Sequence, residues 1–101
     1  MKTGTEIKTY AQAEKFLKGR ASKKTGNNTY IVRRSESEIA VCLHYTDVVT
    51  YTKSGKVRLS SGGWRTATTK QRIKQFSGVN LWQEKGEWLA NGEPFFDGIE
   101  F

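Results

Sequence analysis

The chain holds one cysteine, one histidine and one proline in 101 residues. A lone thiol excludes an internal disulfide, and a single histidine beside a single cysteine does not make a zinc site. There is no apolar run long enough to span a bilayer and no signal-peptide pattern, so the expected location is the cytoplasm, away from membranes. Catalytic signatures are missing too. The segment SGGWRTATTK lacks the G-x-x-x-x-G-K-[ST] spacing of a phosphate-binding P-loop and the G-x-G-x-x-G of a dinucleotide fold. No acid, base and nucleophile occur in a pattern that marks an enzyme, and no cofactor or metal is implied. His44 and Asp47 are close enough in sequence for a base and its orienting carboxylate, but structural roles suit them better, His44 as a hydrogen-bonded residue and Asp47 in a turn. Cys42, in mid-strand, reads as a small buried group.

What the chain does have is positive charge, unevenly placed. The net charge is +7, and residues 53 to 76 hold seven Lys or Arg and no Asp or Glu, whereas residues 77 to 101 hold only Lys85 against five acids. A window without carboxylates attracts a phosphate-bearing partner, or else is a solvated face neutralised by the acidic C-terminal quarter after folding.

The length suits one domain, residues 1–101. Thr9 followed by Tyr10, Ala13 and Leu17 at helical spacing predicts a short N-terminal helix, with Gly19 as its left-handed cap. Gly26, Asn27 and Asn28 predict a turn. The runs TYIVRR, EIAVCLHY and DVVTYT then predict an antiparallel meander, jointed at SES and around Thr46. KVRLS predicts a fourth strand at a sheet edge, with Val57 and Leu59 inward. Thr68 and Gln71 match a capping box for a helix over 69–77, whose buried stripe is Thr69, Ile73 and Phe76. VNLWQEK and EWLA, broken by Lys85–Gly86 and followed by Asn91–Gly92, predict a terminal hairpin with Trp82 and Trp88 as cross-strand or core aromatics. The fold class is therefore α+β, a small antiparallel sheet of about five to seven strands with two short helices. The apolar tail EPFFDGIEF must pack on its own domain or on a neighbour, which raises the prospect of a homo-oligomer.

The functional reading centres on the loop and helix start at SGGWRTATTK. Gly62 and Gly63 free the backbone, Trp64 anchors the loop, and Arg65, Thr66, Thr69 and Lys70 offer charge and hydroxyl donors beside a positive helix end. Lys53, Lys56, Arg58, Arg72 and Lys74 provide contacts that could track a nucleic-acid backbone. The same glycines, tryptophan and threonines also make an ordinary turn, core contact and helix cap. Tyr45, Tyr51 and Trp64 are the aromatics available for base stacking, although aromatics in a small β domain are commonly core.

The series GNNTY, LHYTDVVTY, SGKVRLSSGGWRTATTKQRI and FFDGIEF resembles a family of small uncharacterised proteins encoded by bacteriophages, over roughly residues 26 to 101. Its most specific marks are His44, Thr46 and Asp47 with the SGGWRT and TTK blocks. The resemblance implies a viral context, the host cytoplasm, and an accessory or counter-defence role; it carries over no catalytic residue. Two function classes remain open. One is a non-catalytic protein binding a nucleotide or nucleic-acid backbone; the other is an inhibitor that blocks a host nucleic-acid-handling or defence protein through its C-terminal aromatics.

Overall fold

A computed structural model describes residues 7–101. Thr9 starts the first helix, α1 (Tyr10–Leu17), its hydroxyl accepting the Gln12 amide at 3.2 Å. Tyr10, Ala13 and Leu17 form its buried stripe, as the spacing predicts. The helix closes one residue earlier than expected: Lys18 takes the left-handed cap at φ 51° and sends its amide to the Glu14 carbonyl, with Gly19 following at φ 84°.

Five strands follow, β1 (Ser22–Gly26), β2 (Thr29–Arg33), β3 (Glu38–Leu43), β4 (Thr46–Thr52) and β5 (Val57–Leu59). Then come the second helix, α2 (Ala67–Ser77), a meander of β6 (Leu81–Glu84), β7 (Glu87–Ala90) and β8 (Glu93–Pro94), and a final short strand, β9 (Ile99–Glu100). All pairings are antiparallel, in a six-stranded sheet ordered β1-β2-β3-β4-β5-β9 and a three-stranded sheet of β6-β7-β8. The α+β class stands, but among the described residues nine strands in two sheets replace the single smaller sheet. β1 escapes a periodicity reading because SKKTG has no apolar residue, and its pairing is almost wholly main-chain. KVRLS is not an edge: β9 returns from the C-terminus to pair beside it, a contact no local pattern encodes.

Alternation along the strands sorts the large sheet into two faces. Ile31, Ile39, Val41, Val49, Tyr51 and Leu59 are fully buried on the inner face, under both helices and the smaller sheet. Each large side chain of this kind contributes about 1.5–3 kcal/mol of burial. Tyr51 joins the layers: its hydroxyl donates to the Phe76 carbonyl at the end of α2 and lies 3.2 Å from the Ile7 carbonyl ahead of α1. Burial pushes this phenol far above its ordinary range, so it remains a donor. Tyr51 is therefore a core strut and not a stacking platform. Tyr51→Phe keeps the shape and removes the donor, so we expect a loss of about 1–3 kcal/mol, read as a lower urea midpoint at unchanged slope.

The β3–β4 joint is His44–Tyr45, and Thr46 belongs to the strand. The smaller sheet turns at Lys85–Gly86 and Asn91–Gly92, where both residues of each pair have positive φ, the twist that suits tight hairpins. Trp88 is buried at 5.4 Å from the Phe95 ring, whereas Trp82 points outward. The apolar tail packs within its own chain. Phe95 and Ile99 are buried, Phe101 lies against the core and exchanges backbone hydrogen bonds with Val57, and Phe96 alone is exposed. Self-association is thus not needed to cover it.

Candidate functional site

Two local structures meet at one end of the large sheet. The first is the tight β3–β4 turn. His44 adopts φ 58°, a left-handed conformation in which histidine is tolerated better than most residues, and its amide donates to the Asn28 carbonyl at 2.7 Å. Tyr45, beside it, is 99% exposed. The second is the loop from Ser60 to Thr66. The Ser60 amide continues the ladder by donating to the Val48 carbonyl. Gly62, at φ 61°, then passes so close to Thr46 that a Cβ would lie 2.5 Å from its Cγ2. Trp64 emerges 67% exposed.

Between turn and loop lies a cleft of about 340 Å³. Leu43 and Val48 give it an apolar lining, Tyr45 and Trp64 contribute aromatic walls, and His44, Thr46, Ser61, Thr66, Thr68 and Thr69 add polar edges. Among the described residues no carboxylate lines it. It opens where α2 begins. The cap of that helix is Thr66, not Thr68, because the extended backbone at Thr66 aims its hydroxyl at the Thr69 amide, 3.2 Å away. The amides of Ala67 and Thr68 hold no hydrogen bond to any described residue, as is normal for a first helical turn. No acid occupies that turn.

The residues read from sequence as an anion site divide. Trp64, Thr66 and Thr69 line the cleft; Gly62, Gly63, Arg65 and Lys70 do not. The glycine amides turn to the chain's own oxygens, Gly62 to Ser60 Oγ and Gly63 to Ser61 Oγ, both at 3.2 Å. The Ser61 amide and hydroxyl both donate to Asp97 Oδ1 at 2.8 Å, so a carboxylate of the tail already occupies the loop's donors. Arg65 donates from Nε to Ser61 Oγ at 3.1 Å and places its guanidinium 5.1 Å from the Trp88 ring centre and 4.9 Å from that of Phe95. Lys70 Nζ lies 5.9 Å from the Trp88 ring centre and bonds Gln83. The two cations converge, but on Trp88 and not on the cleft. Each such contact stabilises the loop by about 0.5–2 kcal/mol.

Asp97 shows the electrostatics of this clip. Partial burial pushes its carboxyl up, but the Ser61 amide and hydroxyl, the Arg65 charge and the Gly63 amide outweigh that and hold it below the usual carboxylate range. A lowered folded value stabilises the fold above the ordinary carboxylate pKa, and that contribution disappears as pH falls through the lowered value. We therefore expect a stability loss below about pH 4 that Asp97→Asn removes, measured as Tm against pH.

The residues read as a nucleic-acid track divide between the β4–β5 connection, β5 and α2. Lys53 and Lys56 sit in the β4–β5 connection, at the far end of β4 from the cleft, about 20 Å away along a seven-residue strand. Arg58 faces away from the helices and pairs with Glu38 at 3.2 Å and Glu100 at 3.5 Å. Arg72 Nε donates to Thr29 Oγ1 at 3.0 Å, and Lys74 is exposed on α2. Asp47 does not orient His44; it holds Arg34 by two bonds of 2.9 and 2.7 Å. Burial and the Asp47 charge push the Cys42 thiol up, against a smaller opposing pull from Arg34. Among the described residues no cluster of three or more His, Cys, Asp or Glu could hold a metal, and no helix is long and apolar enough to cross a membrane. Sequence reasoning missed Leu43, Thr46, Val48, Ser61 and Thr68 as cleft residues. Tyr45 was the available signal, an aromatic next to a tight turn.

Fold and cleft together define a small α+β domain with an aromatic-walled cleft at the end of its principal sheet. The chain belongs to the Kyanoviridae Gp96 protein family, whose model matches residues 7–101, and is therefore a phage protein. No curated protein and no solved structure matches it.

Proposed function

We propose that this phage protein is a non-catalytic binding protein, an accessory or counter-defence factor of the host cytoplasm, and that its cleft captures a phosphate-bearing ligand. One observation carries the reading: Trp64 and Tyr45, both strongly exposed, line a cavity that has no carboxylate among the described residues and opens at the amide-bearing start of α2. Two exposed aromatic side chains on one cleft offer a surface on which a planar ring stacks. The helix start supplies amides and a positive dipole end for an anion. This relocates the ligand from the Arg65–Lys70 pair to the cleft beside it, and leaves those two cations as supports of the loop.

Native mass spectrometry of the protein purified from its host tests the reading. The expected result is a single small-molecule adduct that Trp64→Ala abolishes. If no adduct appears and the dialysed protein takes up no phosphate compound, the cleft is not a capture site. A second reading, inhibition of a host nucleic-acid-handling or defence protein, is supported by the exposure of Tyr45, Trp64 and Phe96, since exposed aromatics are frequent anchors of protein contacts. It requires a stoichiometric protein complex with no small ligand.

A further inference from the structure

We infer that the ligand is a single nucleotide unit, not a strand. This rests on the cleft being the capture site, and it follows from three features that a strand-binding groove would not share.

The first is size. About 340 Å³ lies at the lower end of the roughly 300–1,000 Å³ of small-molecule sites, room for one base with its sugar. The second is the set of groups left unengaged. Among the described residues, the hydroxyls of Thr46 and Thr68 and the amides of Ala67 and Thr68 make no hydrogen bond, whereas the Ser61 and Thr66 hydroxyls are occupied internally. Two amides at a helix start match one phosphate, and two hydroxyls match the edge of one base or one sugar. The third is that, among the described residues, no lysine or arginine lines the cleft. Proteins that hold single strands carry successive aromatics along a positive groove. Here Lys53 and Lys56 are at the other end of β4, Arg58 is ion-paired on the opposite face, Arg65 and Lys70 are engaged at Trp88, Arg72 is bonded to Thr29, and Lys74 is exposed further along α2. A polyanion leaving the cleft would meet Lys70 and Lys74 along α2, a pair of cations and not a long groove with successive aromatics.

The experiment is isothermal titration of the full chain with the four ribonucleoside monophosphates, inorganic phosphate and a short single-stranded oligonucleotide, at about 50 and about 200 mM salt. We expect at least one mononucleotide to bind one to one, with less than about a tenfold change in affinity between the two salts, and Trp64→Ala to weaken it by about fivefold or more. The oligonucleotide should bind no more tightly per site than that mononucleotide. Tight oligonucleotide binding that falls by about a thousandfold with salt would overturn the single-unit inference while leaving the phosphate-ligand reading intact. Inorganic phosphate binding as well as any mononucleotide would overturn the role of the base and leave an anion site. If none of the compounds binds, both the inference and the reading beneath it fail.

Discussion

On the proposed capture of a mononucleotide, Trp64→Ala is expected to weaken mononucleotide binding by about 5- to 150-fold, the equivalent of the roughly 1–3 kcal/mol that one base–aromatic stack contributes. Thermal stability should barely move. The Trp64 side chain is 67% exposed, and its tie to the fold is a main-chain bond from its amide to the Ser61 carbonyl at 2.9 Å, which alanine keeps. A surface truncation of this kind stays within about 0.5 kcal/mol, a few degrees in Tm for a domain of this size. Tyr45→Ala should act in the same direction, because Tyr45 lines the same cavity and is almost wholly exposed. Binding that survives both substitutions would remove the aromatic walls from the mechanism. A Trp64 variant that unfolds would instead show the side chain to be part of the core.

Gly62→Ala is expected to be the most destabilising single-methyl change in the loop. At φ 61° a side chain costs about 1 kcal/mol or more in backbone strain, and the new Cβ would stand 2.5 Å from Thr46 Cγ2 and 3.2 Å from its Cβ. Thr46 is β-branched and set in a strand, so it has little freedom to retreat. Overpacking adds about 1–3 kcal/mol, for a total of roughly 2–4 kcal/mol, or more than about 8 °C in Tm. Gly63 provides the control. Its φ of 86° carries the backbone cost, but a Cβ there meets nothing within 4 Å, so Gly63→Ala should cost only the first part. Adding Thr46→Ala to Gly62→Ala should recover most of the overpacking term, a coupling of about 1 kcal/mol or more in a double-mutant cycle. Equal effects at Gly62 and Gly63 would mean that the loop does not bear on Thr46, and that the cleft walls are not fastened to each other there.

The two substitutions separate what the loop is for. Its glycines, with Ser61, Arg65 and Asp97, hold a shape; Trp64 and the hydroxyl edge face outward from it. The 53–76 window contains seven cations and no acid, yet two of those cations support the loop and Arg58 is neutralised by Glu38 and Glu100. Part of that charge is thus answered inside the molecule, including by acids of the C-terminal quarter.

Helical and strand periodicity, the two-residue turns at Lys85–Gly86 and Asn91–Gly92, the buried stripes Tyr10–Ala13–Leu17 and Thr69–Ile73–Phe76, and the α+β class are determined by the sequence alone. Each depends on residues a few positions apart, whose preferences act before any distant contact forms. The destination of Arg65, the seating of Asp97 on Ser61 across 36 residues, the return of β9 beside β5, and the meeting of Tyr45 with Trp64 at one cleft were decided only by the tertiary structure. Charge and hydroxyl composition state what a segment is able to bind; which partner it meets depends on the packing of the whole chain, and here a tail carboxylate and two buried aromatic rings reached the loop's donors and cations first.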